Sequence, residues 1–280
     1  MLRQQAGNAL RVKRLFSCTA LPGAVAMVIV LIKLKRVMSI CYSHNTKTVN
    51  HPAITKTWFW PVGGFLQHGH YQALAQRLAQ VLQKNMDTRS VSQPWQFFDA
   101  GCGEGYYMGS ILAQLKSQGY MVQASGIDIS KAAVQQAAKQ HKNIQFAVAS
   151  TFDLPLAANS QHAVVQVFAP ASSAQIHRVL VDNGLWLSIN PASDHLFELK
   201  SMVYDTPQQH SAELNIAEGF RLLEHQRLRF VIALHNAEQR HNLLMMTPFY
   251  WSISEEKKQR LRQHLQTVTA DFSISVLAKH

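Results

Sequence analysis

The chain has 280 residues, of which 47% are hydrophobic and 15% are charged, and this composition excludes a largely disordered protein. Its length is enough for one large α/β domain with an appendage or for two small domains. The formal net charge is +11, but nine of the 27 Lys and Arg residues lie within residues 1–60, which contain no Asp or Glu. Any contact with a polyanion is therefore expected mainly from the N-terminal segment.

The N-terminal segment is basic and contains an apolar run at residues 20–32. This run is too short to span a bilayer, is interrupted by Pro22-Gly23 and is followed by further basic residues. Cys18, Cys41 and Cys102 form no Cys-x-x-Cys pair, so we expect neither a disulfide framework nor a bound metal. We predict a poorly ordered basic leader over residues 1–64, no membrane anchor and a cytoplasmic protein.

After residue 64 the pattern predicts helices that alternate with strands. Helices are predicted at residues 71–84, 108–116 and 131–141, the last with Ser130 as its N-cap. Strands are predicted at residues 95–98, 123–129, 144–148, 163–168 and 185–189, and a last, antiparallel strand is predicted at the sheet edge at 274–277. This order is typical of an α/β, mostly parallel, doubly wound sheet, and we assign it to one domain at residues 65–280.

A glycine-rich loop follows the first predicted strand. Gly101, Gly103 and Gly105 allow the backbone to approach a ligand and to adopt φ values that other residues avoid. Asp128 ends the next predicted strand, at the spacing of an acid that accepts hydrogen bonds from ribose hydroxyls. Strand, glycine loop, helix, strand and acid in this order predict a site for a nucleotide-like cofactor.

The acidic residues of the loop distinguish between two cofactor classes. Dinucleotide-binding proteins carry the pattern G-x-G-x-x-G, whereas these glycines are two residues apart and enclose Glu104. A carboxylate at this position would repel a pyrophosphate on the helix N-terminus. S-adenosylmethionine has no phosphate, and its ammonium and sulfonium groups suit Glu104 and the preceding Asp99. The loop therefore predicts a methyltransferase with the Rossmann-like class I fold that binds S-adenosylmethionine.

Several segments of the chain, in the same order, resemble the bacterial 23S ribosomal RNA (guanine-N1)-methyltransferases. They are Phe65-Leu66, Gly69-His70-Tyr71-Gln72, Asp99 to Tyr107, Gly126 to Lys131, Ala149-Ser150, Leu154-Pro155, Phe168-Ala169-Pro170, His195 to Lys200 and Met246 to Phe249. The segments beginning at His195 and Met246 are far more specific than the glycine loop, which many methyltransferases share.

The resemblance implies particular site residues and a particular substrate. It implies that Tyr71, Gly103, Glu104 and His195 bind S-adenosylmethionine. It also implies methylation of guanine N1 in a hairpin loop of 23S ribosomal RNA, with no role for DNA, and it allows a homodimer. Members of this family begin with a zinc ribbon, whereas residues 1–64 lack its paired cysteines. This departure affects the expected RNA binding more than the expected cofactor binding.

The substrate pocket is expected after the fourth predicted strand, where Phe168 and Pro170 lie. Phe168 would stack on the target guanine, although an aromatic residue at a strand end is as often part of the core. No catalytic base can be named from the sequence. Two alternatives stay open, namely a small-molecule methyltransferase of the same fold and a catalytically silent remnant that binds cofactor or RNA without turnover.

Overall fold

The computed structural model describes residues 64–86, 93–210, 214 and 216–280. The basic leader predicted for residues 1–64 lies outside this range except for Gly64, as do Cys18 and Cys41. In the described part of the chain, no helix is long and apolar enough to cross a membrane.

Helices and strands alternate through the described residues. The helices are α1 Gln72–Asn85, α2 Tyr106–Ser117, α3 Lys131–Gln140, α4 Ser173–Val179, α5 Phe197–Val203, α6 Ala237–Met245 and α7 Glu255–His264, with a 3-10 helix at Pro248–Trp251. The strands are β1 Trp95–Ala100, β2 Val122–Asp128, β3 Gln145–Val148, β4 Gln161–Val167, β5 Leu180–Pro191, β6 Phe220–Ala233 and β7 Thr267–Lys279. Ser130 caps α3 as predicted, because its side chain accepts a hydrogen bond from the Ala133 amide.

The seven strands form one sheet in the order β3-β2-β1-β4-β5-β7-β6. Strands β1 to β5 pair in parallel, and β7 is antiparallel to both β5 and β6. The predicted α/β sheet, mostly parallel with an antiparallel edge, is confirmed. The position of the last strand is corrected: β7 lies inside the sheet, and β6, which the sequence analysis did not identify, forms the edge.

Both faces of the central strands are covered. The neighbouring residues Phe97 and Phe98 are buried and belong to two different core clusters, as successive side chains of a strand point to opposite faces. Side chains from α1 and α2, such as Leu78 and Ile111, pack in the larger cluster. Ile176 of α4 packs in the smaller one. Burial on both faces explains the consecutive apolar residues Phe97 and Phe98 of β1, which precede the buried Asp99 near its carboxyl end.

Parallel strands bring the functional loops to one edge of the sheet. Strands β1, β2, β4 and β5 all end at this edge, which we call the carboxyl edge, and ligands of open α/β sheets bind there. Because β6 is antiparallel to β7 and β7 to β5, β6 also ends and β7 also begins at the carboxyl edge. The segment between them, with α6, the 3-10 helix and α7, therefore projects from the same edge.

Candidate cofactor and substrate site

The glycine loop lies directly after β1 and needs glycine at two positions for different reasons. Gly101 has a φ of +90°, and a Cβ atom there would lie 2.3 Å from the Cβ atom of Ala169, so a side chain has no room. Gly103 has a φ of +54°, but a Cβ atom there would meet no atom within 4 Å. Gly101 is thus required for packing, whereas Gly103 borders open space of the kind that a ligand can fill.

Asp128 connects the end of β2 to this loop. One carboxylate oxygen accepts a hydrogen bond from the Gly103 amide at 3.0 Å, and the other accepts one from the Ser130 amide at 2.8 Å. Burial raises the pKa of Asp128, and these backbone hydrogen bonds oppose that rise. The two backbone hydrogen bonds orient the Asp128 side chain before a ligand binds. Each carboxylate oxygen can still accept a further hydrogen bond from a ribose hydroxyl.

Two buried carboxyl groups beside the loop give the site its electrostatic character. Burial raises the pKa of Glu104 to about 7. Burial and the neighbouring Asp128 raise the pKa of Asp99 to about 8. A cation placed next to these groups would favour their charged forms and bind more tightly for that reason. The chemistry of this donor set therefore fits the ammonium and sulfonium groups of S-adenosylmethionine.

An aromatic cluster lies at the carboxyl edge, where Phe168 follows β4. The ring centroids of Tyr71 and His195 are 6.5 Å apart, and those of Phe168 and His195 are 5.7 Å apart. Phe272 of β7 lies within 5.4 Å of Tyr71 and of Phe168 and within 5.0 Å of His195, measured between ring centroids. The fold thus brings together Tyr71, Phe168 and His195, which are far apart in the sequence, around a Phe272 ring that the sequence analysis did not single out.

His195 is held in one protonation state. Its Nδ1 atom accepts a hydrogen bond from the Asp271 amide at 3.2 Å. Burial lowers the pKa of His195 to about 3, and the positive charges of His210 and Lys200 act in the same direction. At neutral pH the imidazole is therefore uncharged, with its proton on Nε2, and it presents an N–H donor to any ligand at this atom.

An ion pair between the buried Asp271 and the half-exposed Arg227 fixes the backbone next to His195. Asp271 is fully buried and accepts two hydrogen bonds from the Arg227 guanidinium, at 2.7 and 2.6 Å, and one from the Asp194 amide at 2.9 Å. Arg227 also donates to Ser193 and to the Asp194 carboxylate. Sequence reasoning missed this network because its members come from three distant segments with no spacing rule to connect them.

The loop after β4 holds Phe168 at the carboxyl edge. Phe168 has a φ of +55°, its amide donates to the Ile189 carbonyl, and 40% of its surface is exposed. Gln166 donates to the Ala169 carbonyl and is itself held by Trp186, while Thr151 donates to the Pro170 carbonyl at 2.6 Å. These contacts fix the loop from both sides, so the exposed ring is preoriented. Phe168 is therefore not part of the core.

Other residues of the predicted motifs have structural roles. Glu198 accepts hydrogen bonds from the amide and the hydroxyl of Thr269, which attaches α5 to β7. Burial raises the pKa of the Cys102 thiol, so this residue is not an activated nucleophile. Over residues 64–86, 93–210, 214 and 216–280, no three His, Cys, Asp or Glu side chains cluster in a way that could hold a metal ion.

Comparison with known proteins agrees with the class that this fold and site define. Residues 72–249 match the family described as Methyltransferase domain, which covers the cofactor loop, Asp128 and His195. The chain belongs to this family of S-adenosylmethionine-dependent methyltransferases. S-adenosylmethionine is accordingly the methyl donor of the protein.

The similar proteins of known sequence are more specific in their names. Bacillus subtilis (strain 168) YxjB, provisionally named a 23S rRNA (guanine-N1)-methyltransferase, is 29% identical over 74% of this chain and 73% of its own. The 23S rRNA (guanine(748)-N1)-methyltransferase of Streptomyces fradiae is 29% identical over 75% of each chain. The crystal structure of the MccD protein superposes with a TM-score of 0.47 at 18% identity, over 72% of this chain and 96% of that one. The resemblance to the guanine-N1 enzymes is confirmed.

Proposed function

We propose that this protein transfers a methyl group from S-adenosylmethionine to N1 of a guanine in an unpaired loop of 23S ribosomal RNA. The names of its relatives support this substrate. The observation in the structure that carries the proposal is the exposed Phe168 ring, fixed by its backbone beside His195 at the carboxyl edge. A preoriented aromatic ring beside a methyl donor suits a flat base that has left its stack.

The catalytic domain in this proposal is residues 65–280. Asp128 accepts hydrogen bonds from the cofactor ribose, and Gly101 and Gly103 let the backbone approach it. Glu104 and Asp99 face its positive groups, while Tyr71 and the Nε2–H group of His195 form the far wall. These assignments are supported by the hydrogen bond that joins Asp128 to the glycine loop and by the ring contact of Tyr71 with His195.

The chain contributes mainly positioning to the reaction. The cofactor supplies an electrophilic methyl group on a sulfonium, so the protein must hold guanine N1 in line with that bond. Phe168 stacks on the base, and Pro170 borders it on the same loop. Guanine N1 carries a proton at neutral pH, and this proton must leave as the bond to carbon forms. A hairpin loop reduces the energy needed to unstack the base.

Primer extension tests the proposal, because a methyl on N1 blocks pairing with cytosine and stops reverse transcriptase one nucleotide before the modified base. The substrate is deproteinised ribosomal RNA from a strain without the activity, at low salt so that phosphate contacts are strong. We expect a new stop at a single guanine that needs S-adenosylmethionine and is lost in Asp128→Ala. Methylated RNA without a stop would identify another atom. No methylation of RNA by wild-type protein would reject the proposal and favour a small-molecule substrate or a silent remnant.

A further inference from the structure

The helical segment between β6 and β7 contains the Met246–Phe249 motif, which the cofactor site does not use. The neck of this segment is closed by a hydrogen bond of 2.8 Å from the Leu234 amide to the Gln266 carbonyl. Lys257 of α7 donates to the Val203 carbonyl at 2.6 Å and so attaches the segment to the end of α5. Because α5 starts next to His195 and rises about 1.5 Å per residue, its end lies about 9 Å further along.

Four aromatic side chains form a partly exposed surface on this segment and on the residue after α5. They are Tyr204, Phe249, Tyr250 and Trp251, which we call the aromatic surface. Tyr204 packs edge-on against Phe249 at 5.5 Å, and Tyr250 packs edge-on against Trp251 at 5.0 Å, measured between ring centroids. The 3-10 helix buries none of its side chains fully, and Trp251 and Tyr204 are 46% and 45% exposed.

The charges next to the aromatic surface are mainly positive. Helix α7 has the sequence EEKKQRLRQH, with two acidic residues in its first turn followed by four Lys or Arg. The Lys258 ammonium lies 4.3 Å from the centre of the Tyr250 ring and also pairs with Glu255 at 2.7 Å, so the exposed Arg260 carries the positive charge that a phosphate can reach. Exposed aromatic rings with neighbouring cations suit single-stranded nucleic acid, because bases stack on the rings while phosphates meet the positive charges.

We propose that the aromatic surface stacks on unpaired RNA bases that flank the target guanine. The inference rests on the proposed function and adds to it a second contact on the same strand. Because α5 spans only about 9 Å between His195 and Tyr204, a loop with its target base at Phe168 can place a neighbouring base on the aromatic surface. The aromatic surface would thus provide an RNA contact that does not depend on the basic N-terminal segment.

Binding of a labelled RNA hairpin with an unpaired loop, measured by fluorescence anisotropy, tests this inference. Trp251→Ala should weaken hairpin binding about tenfold, as loss of one base stack does, and should leave binding to the fully paired stem and to S-adenosylhomocysteine unchanged. Trp251→Phe should restore most of the affinity because it keeps a ring. Met121→Ala is the matched control, since Met121 is 53% exposed but lies before β2 at the opposite edge of the sheet.

The outcomes separate this inference from the proposed function. Equal losses for hairpin and paired stem, or no loss for either, would overturn the stacking surface. A dimer that dissociates in Trp251→Ala with unchanged RNA affinity would also overturn it and would assign the surface to a second copy of the chain. If wild-type protein binds the hairpin through Trp251 but produces no N1-methylguanine, the surface stands and the proposed function fails. If Trp251→Ala keeps the hairpin affinity of the wild type and methylates the guanine fully, the proposed function stands and the stacking surface fails.

Discussion

Asp128 links the cofactor loop to β2 before any ligand is present, because both of its oxygens accept backbone hydrogen bonds. We expect Asp128→Ala to weaken binding of S-adenosylhomocysteine by about 1–3 kcal/mol, since buried ribose hydroxyls would lose their acceptor. Titration calorimetry measures this, and Asp205→Ala, at an exposed aspartate, provides the control. Unchanged affinity in Asp128→Ala would remove this residue from the site.

Glu104 makes the stability of the unliganded protein depend on pH. Its folded-state pKa of about 7 lies above the ordinary value, so between pH 5 and 7 the folded protein keeps a proton that the unfolded chain has released. The free energy of unfolding should therefore fall as pH rises through this range. Glu104→Gln should reduce that fall in urea titrations at several pH values, whereas Glu256→Gln, at an exposed site, should not. Identical pH profiles for wild type and Glu104→Gln would contradict the buried carboxyl.

Gly101 and Gly103 have different roles in the loop between β1 and α2, one in packing and one beside the open space for a ligand. Gly101→Ala should lower the melting temperature, because its Cβ atom would overlap Ala169 and force the loop after β4 to move. Gly103→Ala should cost only about 1 kcal/mol of stability, for its positive φ, yet reduce cofactor affinity, because the new methyl group enters the open space. Calorimetric melting and cofactor titration on both variants distinguish these effects. Wild-type affinity in a folded Gly103→Ala protein would place the cofactor elsewhere.

An ion pair between the half-exposed Arg227 of β6 and the buried Asp271 of β7 stabilises the pairing of these two strands. Asp271 is fully buried, so loss of its guanidinium partner leaves a buried charge without compensation. Arg227→Leu should therefore lower the urea midpoint clearly more than Arg229→Leu, since Arg229 is more exposed and pairs with Asp194 at the longer distance of 3.5 Å. Loss of cofactor affinity should accompany Arg227→Leu, because the Asp271 amide orients His195. Equal midpoints for the two variants would show that the pair is not structural.

The elements that sequence reasoning found are those with local signals. Each predicted strand and helix from residue 71 to 189 has a counterpart within a few residues, because apolar periodicity, a cap or a glycine turn marks it. Strand β6 escaped because its side chains alternate between half-buried and exposed positions, with Arg221, Arg227 and Arg229 on the exposed ones. An edge strand with so few buried side chains has a sequence similar to that of a polar loop, and only its pairing with β7 identifies it as a strand.

The site as a whole was predictable only in part. The glycine loop and Asp128 follow from spacing, whereas Tyr71 and His195 were suggested by family resemblance alone. Spacing could not find them, because the residues before α1 and before α5 come together only in the folded chain, beside Phe272. The Asp271–Arg227 pair depends on the register of two strands, and the sequence analysis had identified only part of one of them.

Cofactor binding should be independent of the basic N-terminal segment. Every residue assigned to the cofactor lies between Tyr71 and His195, so removal of residues 1–60 should leave S-adenosylhomocysteine affinity unchanged in calorimetry. RNA affinity should fall in the same truncated protein, because nine positive charges are removed and phosphate contacts carry much of such binding. Loss of cofactor binding on truncation would show that the leader contributes to the catalytic domain.

The closed neck of the helical segment limits the entropic cost of changing the length of that segment. Because β6 and β7 are adjacent and antiparallel, the chain leaves the sheet at Ala233 and returns at Thr267, directly opposite. The two ends of the segment between these residues already lie next to each other. A shorter or longer segment there would therefore change the entropy of loop closure only slightly. A replacement segment must still supply apolar side chains where Leu243, Leu244 and Leu261 pack in the larger core cluster.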